Sequence, residues 1–442
     1  SEYRSTKPLH DVQALINSVA GSLGGFLSLV TVFMMVAAPL IAVPIAYGFT
    51  DEPGKFALFV EMFRITFPYL LLISMTALSG AILNSYDRFM VPALTPALLN
   101  VSLISCALLL SPYLSTPELA LAWGVLIAGI AQLLFQLPFL IKIKLLPVPK
   151  LGKTHEGVQR IKTLMVPALF GVSVSQINLL LDTVIASFLI SGSVSWLYFS
   201  DRLVELPLGI YGIAIATVVL PSLSRKHINN SLDEFAKTLD WAFRLVCLIA
   251  IPATLALIII SKPLLITLFY NTNFTELDVV KAAGSLQAYA LGLTAFMAVK
   301  IFAPGYFARQ DTKTPVKIGI IAMCTNMLLN FILVFAFSLG HIGLALATSL
   351  AAFVNAGLLL RGLTKEGVFR FQPGWMLFSL RMVVANALLT VFLLYFAGDW
   401  QSWLAMAVMT KIIKLAALCL GGMALYSIAL YGSGMRLKDL SH

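Results

Sequence analysis

Charged residues are scarce in this chain of 442 residues. Asp, Glu, Lys and Arg together make up 11% of it, and hydrophobic residues make up 59%. Ordinary soluble domains have about 25% charged and about 45–50% apolar residues. An apolar excess of this size is too large for the interior of a soluble protein, so the composition excludes that class and points to a membrane protein.

Sequence motifs of catalysis are missing as well. The chain has no GxSxG, HExxH or P-loop motif, and no GxGxxG motif between a strand and a helix. Its cysteines all lie inside apolar runs, without CxxC spacing or a paired histidine, which excludes a disulfide framework or a zinc site: Cys106, Cys247, Cys324 and Cys419. These absences favour a protein that is not an enzyme, and the lack of a P-loop argues against an ATP-driven pump.

Long apolar runs recur along the whole chain. Runs of about 20 residues are typical of transmembrane α-helices, whereas transmembrane strands would alternate over shorter segments. The fold class predicted is therefore an all-α polytopic membrane protein. Twelve spans are predicted, at 13–48, 57–85, 92–112, 118–141, 158–190, 193–223, 235–269, 278–308, 314–338, 342–361, 374–397 and 402–431.

The basic residues fall on alternate loops between these spans. The longest basic connection runs from Lys142 to Lys162, and the opposite loops, such as "GFTDEPGK" and "NTNFTELD", are neutral or acidic. Basic loops face the cytoplasm, so both termini are predicted to be cytoplasmic. The same rule explains the net charge of +10 without nucleic-acid binding.

Two cytoplasmic turns resemble each other. "GAILNSYDRFMVPALTP" (80–96) and "FAPGYFARQDTKTPVK" (302–317) each end a long helix in a basic, proline-bounded turn, about 220 residues apart. Together with the basic connection, this repeat predicts a first lobe of four helices (1–145), a second lobe of six (146–365) and two further helices (366–442). The first lobe is then two helices short of a pattern of six, six and two.

Three charged residues open the sixth predicted span, in "SWLYFSDRLVELP". An ionisable residue inside the membrane normally faces a cavity or a partner. Asp201, Arg202 and Glu205 have spacings that allow a local helix clamp. Alternatively, Arg202 presents its planar guanidinium to phosphate oxygens in an aqueous cavity, with the two acids holding it. Lys300, late in the eighth span, either reaches the nearby membrane surface or lines the same cavity.

A second set of polar residues lies in the fifth, ninth and tenth spans. It contains one carboxylate together with amide and hydroxyl oxygens, the ligands that a hard cation prefers: Asp182, Asn326, Asn330 and Thr348. Asn326 and Asn330 share a helix face. The other interpretation, favoured by the residues alone, is that the side chains join helices by hydrogen bonds. No cofactor is predicted apart from a sodium ion at this set.

Several segments closely resemble the MurJ-type lipid II flippases of the multidrug/oligosaccharidyl-lipid/polysaccharide exporter superfamily. The resemblance covers essentially the whole chain, and "SDRLVELPLGIYGIAIATVVLPSLS" and "RQDTKTPVK" are its most specific parts. It implies two helical lobes around a central cavity, with the two C-terminal helices forming a groove for a lipid tail. It also implies that the family's first two helices have no counterpart in this chain.

The resemblance further implies a transporter of the bacterial inner membrane, expected to be a monomer. Its substrate would be lipid II, the lipid-linked peptidoglycan precursor, which the family flips by alternating access. Arg202, with Asp201 beside it, matches the family's cavity arginine, and Lys300 matches a basic cavity position. Asp182, Asn326, Asn330 and Thr348 correspond to a sodium site. Two other hypotheses are a cation-coupled multidrug exporter and a non-transporting membrane scaffold left after the loss of two helices.

Overall fold

The computed structural model describes residues 8–50, 53–150, 156–212, 219, 222–223 and 232–436. Over these residues the secondary structure is helical and contains no strand. Ten segments of the described chain are long and apolar enough to cross a membrane. The predicted all-α polytopic class is confirmed.

The chain divides into two compact units, Ser1–Val172 and Ser173–His442. In the first unit, α4 and α6 both pack against α7. Its helices are α1 (Leu9–Val36), α2 (Ala38–Ile45), α3 (Pro53–Thr66), α4 (Tyr69–Ser85), α5 (Met90–Leu94), α6 (Ala97–Leu109) and α7 (Leu119–Lys142). The helix α8 (Glu156–Ser187) runs from the first unit into the second.

The second unit is built around α12, which packs against α9, α10, α11 and α14. Its helices are α9 (Ser193–Pro207), α10 (Leu232–Ile259), α11 (Ser261–Phe269), α12 (Glu276–Phe307), α13 (Lys313–Asn330), α14 (Gly340–Lys365), α15 (Trp375–Ala397), α16 (Gln401–Leu404) and α17 (Val408–Gly432). Two π-helical segments, Leu208–Gly212 and Phe331–Ala336, directly follow α9 and α13. The predicted division into two lobes and a C-terminal helix pair stays a prediction.

The ten membrane-spanning segments correspond to ten of the twelve predicted spans. Of the other two, 158–190 corresponds to α8, and 193–223 contributes α9 but lies partly outside the described residues. The last predicted span, 402–431, begins in the structure only at Val408, after the short helix α16.

Four predicted spans are each divided into two helices at a proline: 13–48, 57–85, 92–112 and 235–269. The proline stands in the first turn of the second helix or directly before it: Pro39, Pro68, Pro96 and Pro263. Proline lacks the N–H that would continue the helix, and its ring clashes with the preceding turn. Hydropathy does not register this effect, so these helix breaks were not predicted.

The two turns that resemble each other in sequence also share a backbone geometry. The N–H of Arg88 donates to the carbonyl of Leu83 at 3.0 Å, and the N–H of Asp311 donates to the carbonyl of Tyr306 at 3.1 Å. The residue before each donor is left-handed, with φ of 61° and 62°. Both partners of the second turn lie 223 residues after those of the first, close to the predicted repeat length.

A second pair of turns has the same spacing. The N–H of Leu145 donates to Leu140 at 3.0 Å after α7, and the N–H of Val368 donates to Leu363 at 2.9 Å after α14, again 223 residues later. The residue before each donor has φ of 57° and 70°. Helices of both units therefore end in the same left-handed cap, which satisfies their last carbonyl groups.

The helices α12 and α14 approach each other closely at a glycine. A Cβ atom on Gly292 would lie 2.6 Å from Oγ of Ser349 and 2.8 Å from its Cα. The Ser349 hydroxyl donates to the carbonyl of Ala288 at 2.7 Å. Small residues of this kind let helix backbones approach in membranes, where packing and hydrogen bonds hold helices together.

Candidate functional site

The helix α9 carries the charged motif and runs parallel to α12. The indole N–H of Trp196 donates to Asp278 at 2.8 Å, and the hydroxyl of Ser200 donates to the carbonyl of Ala282 at 2.8 Å. Donor and acceptor are 82 residues apart in both hydrogen bonds. The equal separations mean that the two helices are parallel and keep a constant register. The helix α12 therefore fixes both the direction and the register of α9.

Arg202 and Glu205 form an ion pair on the exposed side of α9. The guanidinium lies 2.5 Å from the Glu205 carboxylate, and the two side chains are 54% and 48% exposed. The guanidinium also lies over the ring of Tyr198, 5.1 Å from its centre. Asp201, one residue before, is half-buried. Arg202 is thus oriented by its own helix, and half of its side chain stays accessible to a ligand.

A recess of about 650 Å³ lies beside this ion pair. Arg202 and Glu205 form its polar part, and Leu206, Ile210, Leu268 and Phe269 line much of the rest. The π-helical segment Leu208–Gly212 forms one side of it. π-Helical turns are costly and occur frequently at functional sites. The recess thus combines a half-exposed guanidinium, paired with a carboxylate, with a largely apolar wall.

Lys300 does not lie near Arg202. From the register of α9 and α12, Arg202 is level with Gly284 of α12, and Lys300 follows 16 residues later. At about 1.5 Å per residue, the two cations are about 24 Å apart along the helix axis. Lys300 is exposed near the Phe307 end of α12, so the structure separates two residues that the sequence assigned to one site.

The second predicted set does come together. Asn330 donates from Nδ2 to Oδ1 of Asp182 at 2.6 Å and to Oδ1 of Asn326 at 3.0 Å. Asn326 in turn donates to the hydroxyl of Thr348 at 3.2 Å. Asn326 and Asn330 are 2% and 0% exposed. Side chains from α8, α13 and α14 therefore form one polar cluster in an apolar surrounding.

Asn178 is a fifth member that the sequence reasoning missed. Its Nδ2 donates to Oδ2 of Asp182 at 3.3 Å. The Asn326 amide can also be turned over, and its nitrogen then lies 3.0 Å from Oδ1 of Asn178 and 3.2 Å from Asp182. The spacing of four residues between Asn178 and Asp182 was a signal that could have revealed it.

One oxygen in this cluster lacks a donor. Oδ1 of Asn330 is buried and accepts no hydrogen bond from any described residue. Buried amide oxygens are almost always paired, so each exception needs an explanation. The π-helical segment Phe331–Ala336 begins at the next residue. A carboxylate, amide oxygens and a hydroxyl around an unpaired oxygen match the donor set of a hard cation.

A long apolar groove lies along the C-terminal helices, with a volume of about 610 Å³. It is formed by α10, α15 and α17, and its lining includes Pro252, Leu389, Leu393, Gly422 and Tyr426. Arg436 lies at one end of it. The Tyr426 hydroxyl donates to the carbonyl of Leu248 at 2.9 Å, which holds α17 against α10.

A buried ion pair anchors this helix pair to α10. Asp240, 2% exposed, accepts from Nε of Arg244 at 2.9 Å and from the indole N–H of Trp375 at 2.6 Å. Arg244 also donates to the carbonyls of Gln372 and Pro373, both at 3.0 Å. The Asp240–Arg244 pair thus fixes the connection that leads into α15. This pair was not predicted from the sequence, although the two residues are four apart inside an apolar run.

The "RQDTKTPVK" turn is a helix-starting device. Oδ1 of Asp311 accepts from the backbone N–H groups of Lys313 and Thr314 at 3.1 and 3.0 Å. These hydrogen bonds, together with one from the Thr314 hydroxyl, lower the pKa of Asp311, the hydroxyl contributing most. Arg309 pairs with Glu366 at 2.6 Å, which joins this turn to the end of α14.

Comparison with known proteins places the chain in a family. The sequence model of the family described as "Lipid II flippase MurJ" matches residues 3–414. The chain belongs to the MurJ family. Its resemblance to these flippases is thereby confirmed, as is the prediction of a transporter rather than an enzyme.

Relatives of known name agree over the whole chain. The probable lipid II flippase MurJ of Vibrio cholerae is 47% identical and covers 100% of this chain, which covers 85% of that protein. The corresponding protein of Haemophilus influenzae is 43% identical, with 100% and 88% covered. The lipid II flippase MurJ of Burkholderia cenocepacia is 37% identical, with 99% and 85% covered.

Solved structures support the same assignment. One is a lipid II flippase MurJ in an inward closed conformation, with a sequence identity of 25% and a TM-score of 0.79. The match covers 96% of this chain and 84% of that protein. Another is an inward-facing multidrug resistance MATE family transporter, with a sequence identity of 14% and a TM-score of 0.67. The match covers 80% of this chain and 81% of that protein. The second likeness shows a shared fold only. Family and spans together make the chain a multi-pass bacterial inner-membrane protein.

Proposed function

We propose that this chain flips lipid II, a peptidoglycan precursor, across the bacterial inner membrane by alternating access. Membership of the MurJ family along residues 3–414 carries the proposal. Relatives that bear the name lipid II flippase are up to 47% identical over its full length. In this proposal the protein moves a lipid without altering a covalent bond, so it needs binding sites for an anionic head and an apolar tail.

Arg202 is the proposed contact for the diphosphate of the substrate. Its guanidinium is half-exposed beside a largely apolar recess, and Glu205 holds it in one orientation. Guanidinium groups bind phosphate oxygens through two parallel hydrogen bonds. Asp201, the neighbouring residue, tunes the local charge. Lys300, about 24 Å further along α12, would meet the diphosphate at another depth during the crossing.

A sodium ion is proposed at the polar cluster. The ligands would be oxygens of Asp182, Asn326, Asn330 and Thr348, and Asn178 extends the set. The unpaired Oδ1 of Asn330 supports this assignment, because a cation would give that buried oxygen a partner. Bound sodium would then link the positions of α8, α13 and α14, and so favour one conformation of the second unit.

The apolar tail of the substrate is proposed to lie in the groove formed by α10, α15 and α17. The groove is apolar over most of its length, and Arg436 lies at one end. Because the tail would leave a bilayer that is itself apolar, the groove would hold it through close packing rather than through removal of hydrocarbon from water. Both termini are proposed to face the cytoplasm, as the basic loops indicate, and the chain is proposed to act as a monomer.

Rescue of bacteria depleted of their own lipid II flippase tests this function. We expect the intact chain to restore growth and cell shape, and Arg202→Gln at equal membrane abundance to restore neither. Lys365→Gln, an exposed lysine at the end of α14, serves as the charge-matched control. Failure of the intact chain would favour the scaffold hypothesis, and cation-driven drug efflux in its place would favour the exporter hypothesis.

A further inference from the structure

Two charged side chains in the described part of the chain are less than a tenth exposed, Asp240 and Lys411. Asp240 has its partners in Arg244 and Trp375. Lys411 is 7% exposed, and no carboxylate of the described residues lies within 4 Å of its ammonium group. Buried charges are almost always paired. Among the described residues Lys411 has no counter-charge, and an anion from outside the chain would supply one.

Two other lysines lie at the same end of the C-terminal helices. Lys414, one turn after Lys411 on α17, donates to the carbonyl of Ala397 at 3.4 Å. Its ammonium group lies 4.5 Å from the ring centre of Trp403. Lys262, at the start of α11, lies 4.4 Å from the ring centre of Trp400. The helix α11 packs against both α16 and α17. Lys262 and Lys414 thus contact the connection 398–407, and Lys411 lies on the first turn of the helix that follows it.

The aromatic rings beside these lysines leave most N–H donors of the ammonium groups without a hydrogen bond. Lys411 lies over the ring of Tyr270 at 5.2 Å, as Lys262 and Lys414 lie over Trp400 and Trp403. An ammonium group has three donors, and a ring face orients it without accepting a conventional hydrogen bond. The aromatic side chains therefore position the cations while several N–H donors stay available.

The start of α17 adds to the positive potential. Its first turn has no capping side chain and no acidic residue. Free N–H groups at a helix start carry a partial positive charge, so lysines there are unfavourable until an anion binds. The acid of the connection, Asp399, accepts from the N–H of Gln401 at 3.3 Å and pairs with none of the three lysines. A bound anion would offset the positive charge of the three lysines and of the start of α17 together.

The surroundings identify the class of anion. Large apolar side chains on the first two turns of α17 are exposed, including Val408, Met409 and Ile413. In a membrane-spanning hairpin such side chains face acyl chains, and tryptophan and lysine at helix ends mark the level of the lipid headgroups. A ligand at this position has its charge at the membrane surface and its apolar part beside α17.

We propose that Lys262, Lys411 and Lys414 form a binding site for the phosphate of an anionic phospholipid at the turn between α15 and α17. This turn is at the opposite end of the hairpin from Arg244 and Arg436. The lipid would hold α11 against α17 and so brace the Ile260 and Leu393 end of the apolar groove. The site is separate from the Arg202 recess, and lipid binding there does not require transport activity.

Thermal unfolding of the full chain in detergent, with phosphatidylglycerol added stepwise, tests the site. We expect the unfolding temperature of the wild type to rise to saturation. In Lys411→Gln the lipid concentration at half-saturation should increase about tenfold, because one charged hydrogen-bond donor is lost. The double variant Lys262→Gln/Lys414→Gln keeps the buried lysine and should show at least the same loss, so the test stands even if Lys411→Gln does not fold.

Controls separate the possible ligands. Lys365→Gln removes an exposed lysine elsewhere and should respond to phosphatidylglycerol like the wild type. Phosphatidylcholine and inorganic phosphate should give less than half of the shift. An equal shift with inorganic phosphate would overturn the assignment to a lipid, and an equal shift with phosphatidylcholine would overturn the role of net charge. An unchanged response in the lysine variants, or no response in the wild type, would overturn the site itself.

Discussion

Asn330 donates its amide to Asp182 at 2.6 Å across 148 positions of sequence, while its own Oδ1 is buried without a hydrogen-bond partner. This contact joins α13 to α8 and leaves an oxygen available beside a carboxylate. A structural role alone would be served by a fully paired amide. The unpaired oxygen supports the proposed cation site over a set of interhelical hydrogen bonds alone.

Sodium should therefore stabilise the chain, and Asp182→Asn should remove the effect. At a sodium concentration ten times the dissociation constant, we expect about 1.4 kcal/mol of stabilisation in the wild type. Unfolding in NaCl is compared with unfolding in KCl at equal ionic strength. Asp233→Asn, an exposed carboxylate on α10, is the control and should retain the sodium effect. A sodium effect that persists in Asp182→Asn would exclude this carboxylate as a ligand.

Gly292→Ala should destabilise the chain by about 1–3 kcal/mol, because its Cβ would lie 2.6 Å from Oγ of Ser349 and 2.8 Å from the Cα of that residue. The unfolding temperature in detergent measures the change. Gly319→Ala is the matched control, since no atom lies within 4 Å of its Cβ position on α13. We expect it to be neutral or slightly stabilising. Equal effects of the two substitutions would show that close packing of α12 on α14 contributes little.

Arg244→Gln should cost about 3 kcal/mol or more, because Asp240 would then be buried without a counter-charge. It should also expose the connection 366–374 to protease, since two hydrogen bonds from Arg244 hold its end. Asp240→Asn/Arg244→Gln should cost less than the sum of the single changes. Lys237→Gln, an exposed lysine on the same helix, should have little effect. Additive costs would contradict the coupling of Asp240 and Arg244.

Asp311 should make the stability of the α12–α13 turn depend on acid pH. Its pKa is lower in the folded chain than in the unfolded chain, so the unfolded chain binds more protons between the two pKa values. The stabilisation is thus complete above the usual pKa of about 3.9 and is lost as the pH falls through the lowered value. Asp311→Asn should reduce the unfolding temperature at pH 7 and approach the wild type below about pH 3. A difference that stays constant with pH would contradict this account.

The sequence could predict relations within the candidate sites only where the residues lie close together along the chain. Asn326 and Asn330 share a helix face by spacing alone, and the same rule applied to Asp182 would have found Asn178. The relation of Arg202 to Lys300 was beyond reach, because it follows from the register of α9 on α12, which Trp196 and Asp278 set across 82 residues.

The helix breaks and the buried ion pair illustrate two further limits. The prolines at the four helix breaks were visible in the sequence, but a hydropathy criterion does not weigh the missing N–H group. Asp240 and Arg244 have a four-residue spacing that is also common in surface pairs on helices. Their burial depends on the return of Gln372 and Trp375 more than 125 residues later, which no local pattern specifies.

Translocation of lipid II in vesicles reconstituted with this chain tests the central proposal most directly. Labelled lipid II that crosses to the outer leaflet becomes accessible to an enzyme that cannot enter the vesicle. We predict that the wild type and Lys365→Gln make inner-leaflet lipid II accessible at equal rates, and that Arg202→Gln lowers the rate at least about tenfold, because one bidentate contact to the diphosphate is lost. Equal rates for the wild type and Arg202→Gln would contradict the role of this arginine, and no transport by the wild type would contradict the proposed function.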